Sequence, residues 1–69
     1  MYIDWWQDEN NAWRGYHNGK CVAMVIHRNV AVKKEQWNRY VLKKNKTEED
    51  AKLFAESEYC IYIESREFI

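Results

Sequence analysis

The chain has 69 residues, with four Trp, five Tyr, two Phe, two Cys, no Pro, and eleven basic side chains balanced by eleven acidic ones. A chain this short forms a single domain, residues 1–69, with a thin core, and its formal neutrality argues against non-specific duplex binding, which lives on a cationic surface. No stretch is long and apolar enough to cross a bilayer, and the opening eleven residues lack the basic and apolar regions of a signal peptide, so a cytoplasmic protein with reduced thiols is expected.

In chain order, Tyr2 to Gln7 reads as a first strand and Asp8-Glu9-Asn10-Asn11 as the turn after it. Asn18-Gly19 follows, between two β-rich runs. This is the strongest short hairpin signal, because a type I′ turn needs positive φ at both central residues. A regular two-residue turn pairs His17 with Lys20, Tyr16 with Cys21, Arg14 with Ala23 and Trp13 with Met24. One face then carries Trp13, Gly15, Val22, Met24 and Ile26. It is bulky and uncharged, and it is the expected core face.

Arg28 to Glu35 reads as a longer connection and Gln36 to Leu42 as another strand, closed by Lys43-Lys44-Asn45-Lys46. Thr47-Glu48-Glu49-Asp50 resembles a capping box with acids at the positive end of a helix dipole. Ala51, Phe54, Ala55, Tyr59 and Tyr62 then fall on one helical stripe. Beyond Glu58, Cys60-Ile61-Tyr62-Ile63 suits a last strand as well as a helix; the helical reading runs to about Glu64. The expected fold is α+β, a three- to four-stranded antiparallel meander with one C-terminal helix on one face. Trp13, Val22, Met24, Tyr40, Leu42, Ala51, Phe54 and Ala55 are its expected buried residues.

Charge is sorted along the chain. Residues 20–46 hold eight basic side chains against Glu35 alone, and residues 47–69 hold seven acids against Lys52 and Arg66. Either the two regions pair within the molecule or each meets a partner. Catalysis finds no support. Cys21, Cys60, Thr47 and Ser57 are the nucleophile candidates and His17 and His27 the bases, but no acid orients either histidine at a recognisable spacing. The set His17, Cys21, His27 and Cys60 has none of the usual zinc spacings, and two glycines build no phosphate loop. No enzyme activity, cofactor or metal is expected.

The segments W-x-G-x-x-x-G-x-x-V-A-x-V from Trp13, W-x-x-Y-V from Trp37 and T-E-E-D-A-K-x-x-A-E from Thr47 resemble small meander-plus-helix domains. Among these are the arm-site DNA-binding domains of phage integrases, plant AP2-type domains and many small phage proteins. The resemblance implies the same three-stranded meander and helix, and DNA binding as one family function. The acidic first strand and zero net charge depart from the DNA-binding members.

Two functional readings follow. The first is a stoichiometric inhibitor or modulator, phage-encoded and directed at a host protein that handles nucleic acid. It uses Trp6, Arg14, Tyr16, Trp37 and Arg39 on the outer sheet face, and Glu48, Glu49 and Asp50 as phosphate-like carboxylates. The second is nucleic-acid binding by the outer sheet face, with Arg14, Tyr16, Trp37 and Arg39 ringed by Lys33, Lys34, Lys43 and Lys44.

Overall fold

A computed structural model describes residues 2–43 and 47–67. Five strands, β1 (Asp4–Gln7), β2 (Trp13–His17), β3 (Lys20–Ile26), β4 (Asn29–Lys33) and β5 (Trp37–Val41), precede one helix, α1 (Glu48–Glu67). Every strand pairs antiparallel with its neighbour in sequence, in the order β1-β2-β3-β4-β5. The fold is α+β as expected, but the sheet has five strands rather than three or four. The connection expected over Arg28 to Glu35 is mostly strand.

The reason lies in the turn before β4. Ile26 pairs with Asn29, leaving only His27-Arg28 to reverse the chain. His27 adopts a φ of 56°, the left-handed conformation that hairpin turns usually reserve for Gly or Asn. Without a glycine, the turn is silent in the sequence. Two of the other three turns follow their signals. Asn18 and Gly19 both have positive φ, at 51° and 78°. At the first turn, Asp8 Oδ1 accepts the amides of Asn10 and Ala12 at 2.8 and 3.0 Å, and Asn11 takes a φ of 64°.

The β2–β3 register departs from the regular one. His17 still faces Lys20 and Tyr16 faces Cys21, but a bulge then places Gly15 opposite Ala23, Arg14 opposite Met24 and Trp13 opposite Val25. The extra residue is Val22, so Val22 and Ala23 are buried one after the other. Beyond the bulge the faces of β3 are exchanged relative to expectation. Ala23 and Val25 enter the core, while Met24 and Ile26 turn to the other side with Arg14. The expectation that Met24 and Ile26 belong to the core face is thereby corrected. The bulged register puts the smaller Ala23 and Val25, rather than the longer Met24 and Ile26, on the side that the helix packs against.

That helix is α1. Thr47 and Asp50 cap it reciprocally: the Asp50 amide donates to Thr47 Oγ1 at 3.1 Å and the Thr47 amide to Asp50 Oδ2 at 3.3 Å. Ala51, Ala55 and Tyr59 are buried against Val25, Val30 and Val32 of β3 and β4, with Ile3, Val22 and Ala23 completing the core. Trp13, Tyr40, Leu42 and Phe54 are half-buried around it. Tyr62 and Ile63 continue the stripe, so the β-rich segment Cys60-Ile61-Tyr62-Ile63 is helix and α1 runs to Glu67. Tertiary packing overrides strand propensity there. The expected loop residues Lys44, Asn45 and Lys46 lie outside the described residues.

Candidate functional site: the uncovered sheet face

The helix covers one face of the sheet, and the register decides what the other presents. Cross-strand partners share a face and neighbours along a strand alternate. Trp6, Arg14, Met24, Ala31 and Arg39 therefore form one row across all five strands on the side away from α1. Asp4, Tyr16 and Cys21 lie on the same side, with Lys33 beside Trp37; Ile26, Asn29 and Val41 form a shorter row. Several large apolar groups stand open there: Trp6 is 67% exposed, Val41 77%, Ile26 46% and Trp37 40%. An open groove of about 570 Å³ runs beside β1 and β2, lined by Asp4, Trp6, Gln7, Asp8, Arg14, Tyr16 and Gly19. A smaller hollow of about 250 Å³, lined by Met24, Ile26, Asn29, Ala31 and Arg39, lies across β3 to β5.

The charged groups of this face are sorted. Asp8 Oδ2 sits 3.4 Å from Arg14 Nε. The Ala12 amide, then the Asn10 amide and Arg14, hold the Asp8 carboxyl below its ordinary range, against a smaller opposing effect of burial. Among the described residues, no hydrogen bond or ion pair engages the side chain of Asp4, Lys33 or Arg39. The acids lie on the β1 side and the free cations on the β4–β5 side.

Of the candidate residues, Trp6, Arg14, Tyr16, Trp37 and Arg39 are brought together on this face. Glu48, Glu49 and Asp50 are not. They belong to α1, on the opposite side of the sheet, and each has an internal task. Glu48 accepts the Trp13 indole N–H at 3.0 Å. Glu49 pairs with Lys52 at 2.9 Å, and the same ammonium lies 3.8 Å from the Trp13 ring centroid. Asp50 caps the helix. Trp5 is tied to α1 as well, donating to Glu56 at 2.7 Å. The basic middle and acidic end meet at Lys34 and Glu58, 3.6 Å apart, and at Glu35 and Arg66, 3.3 Å apart. The Tyr40 hydroxyl, accepting from Lys34 at 3.1 Å, raises the Lys34 pKa, burial opposes this, and Glu58 adds to it.

Sequence reasoning missed Met24, Ile26 and Ala31 as members of the open face, whereas alternation along the last strand already put Val41 with Trp37 and Arg39. The alternation of Val30 and Val32 against Asn29, Ala31 and Lys33 was the available signal for the strand that carries Ala31. His17 and Cys21 lie on opposite faces. His17 stacks edgewise between Tyr2 and Tyr59, with Nδ1 2.7 Å from the Tyr2 carbonyl oxygen. Cys21 and Cys60 are not joined in a disulfide. No cluster of three potential metal ligands occurs among the described residues, and no helix among them is long and apolar enough to cross a membrane.

Together these features define a class: a small α+β domain in which one helix covers one face of a five-stranded meander and leaves the other bare. Comparison with protein-family models, curated proteins and solved structures finds no match to this chain.

Proposed function

We propose that this chain is a non-enzymatic, stoichiometric interaction protein that binds and modulates a partner protein through the uncovered sheet face. One observation carries the reading: Trp6, Ile26, Trp37 and Val41 are exposed on one face of the sheet, which no element among the described residues covers. Clustered exposed apolar groups flanked by Arg are the usual make-up of a protein-docking surface. Nucleic-acid binding by the same face is the second reading, supported by aromatics interleaved with Arg14 and Arg39. It is disfavoured because Asp8 occupies Arg14 and Asp4 stands beside Trp6, so the β1–β2 half repels phosphate. A host protein that handles nucleic acid is the partner class expected from the sequence. The acidic first turn that motivated this choice is internally bonded and faces away, so it adds no support.

Trp6→Ala and Trp37→Ala test the reading. Each is expected to lower affinity for a captured partner by roughly tenfold or more, with unchanged circular dichroism. Reversing Glu48 and Glu49 to Lys should leave that affinity in place wherever the fold survives. If both tryptophan variants bind like the parent, the docking face is elsewhere. A salt-dependent shift of single-stranded DNA, lost in Trp37→Ala, would favour the second reading.

A further inference from the structure

The bare face is complementary to itself. β3 is the middle strand of the five and divides the face into halves. The β1–β2 half carries Asp4, the Asp8–Arg14 pair, the protruding ring of Trp6 and the half-buried Tyr16. The β4–β5 half carries Lys33 and Arg39, whose side chains have no partner among the described residues, with the small residue Ala31 and the exposed Trp37 and Val41. Between them β3 presents only Cys21, Met24 and Ile26, all uncharged. Resting on the docking role of this face, we propose that its occupant is a second copy of this chain, packed face to face about a twofold axis running along β3.

An isologous contact repeats one patch on both sides. Rotation about an axis along β3 lays β1 of one copy over β5 of the other and keeps each cross-sheet row opposite itself. Met24 then meets Met24, and Ile26 meets Ile26. Trp6 of one copy lies over Arg39 of the second, where the guanidinium can stack on the indole. Tyr16 lies near Lys33 in the same way. Arg14, the long side chain of the row, falls opposite Ala31, the short one. The hollow of about 250 Å³ between Met24, Ile26, Ala31 and Arg39 is thus presented to the protruding Trp6 ring. Asp4 falls opposite Trp37 of the second copy, with Lys33 one strand away and Arg39 two residues along, so the acid is flanked by both cations.

Area sets the strength. Five strands at about 4.8 Å spacing and five residues at about 3.3 Å rise give a face on the order of 20 by 17 Å. This is roughly 340 Å² per copy, below the standard size of specific interfaces, so a weak, reversible dimer with a dissociation constant on the order of 100 μM is expected rather than an obligate one.

Sedimentation equilibrium of the full chain from about 1 μM to 1 mM tests this. The parent should pass from monomer to dimer and no further. Trp6→Arg sets two arginines against each other at both symmetric contacts and should weaken the dimer by roughly tenfold or more. Adding Arg39→Trp to it exchanges the pair and should restore affinity to within about threefold. In a Cys60→Ser background, a short bismaleimide should join two chains through Cys21, which lies on the axis strand. A parent that stays monomeric at 1 mM overturns the proposal. So does a dimer indifferent to Trp6→Arg, or one the double exchange does not restore. A monomer that still loses a heterologous protein partner on Trp37→Ala would defeat the twofold dimer and leave the docking face standing.

Discussion

Trp5 and Trp6 are neighbours in sequence with opposite roles. Strand alternation sends the first toward α1, where its indole N–H reaches Glu56, and leaves the second on the bare face. Composition alone reports four tryptophans; only register tells which two anchor the helix and which two stand outward. Gly15 is the residue that makes the inward position possible. A Cβ on Gly15 would lie 2.5 Å from Ile3 Cγ2 and 3.0 Å from the Trp5 ring. Neither neighbour has room to retreat, because Ile3 is buried and Trp5 packs against the core. Gly15→Ala should therefore cost about 1–3 kcal/mol through overpacking, read as a lower urea midpoint at unchanged m-value. His27 is strained in the opposite sense, holding a left-handed φ with a full side chain. His27→Gly is expected to raise stability by about 0.5–1 kcal/mol in the same assay. A loss of stability would mean that its side chain contributes more than its backbone costs.

At the level of elements, turns with a chemical signature were legible and those without one were not. Asn18-Gly19 and the Asp8 turn are readable from residue type, as is the Thr47 cap. The His27-Arg28 turn and the bulge at Val22 are not. The bulge exists because α1 needs Ala23 and Val25 beneath Ala51 and Ala55, a demand made by residues some thirty positions away. The Asp8 turn also carries a pH dependence. Its carboxyl is held below the ordinary range in the folded chain, so ionised Asp8 adds stability above its unfolded pKa near 4, and that share disappears as pH falls through the lower folded value. Asp8→Asn should flatten the loss of stability below about pH 4, measured as urea midpoints across pH. Parallel curves for parent and variant would count against the amide bonds as the cause.

For the molecule as a whole, the sorted charge foreseen in the sequence is only partly cancelled inside it. Lys34–Glu58 and Glu35–Arg66 join the basic middle to the acidic helix, but Lys33 and Arg39 remain on the bare face with no ion pair among the described residues. The outward placement of Trp6, Arg14, Tyr16, Trp37 and Arg39 followed from alternation alone. Whether Glu48 to Asp50 share that face did not, since which side a helix takes is decided by packing.

The order of elements has a further consequence, for synthesis. All strand pairings join sequence neighbours, so each hairpin can close as soon as its residues leave the ribosome. The helix is made last. A chain whose strands have paired before α1 packs has Val25, Val30 and Val32 bare on one side and Trp6, Ile26 and Trp37 on the other. Such a state is apolar on both faces, and a neighbouring chain is able to cover either one.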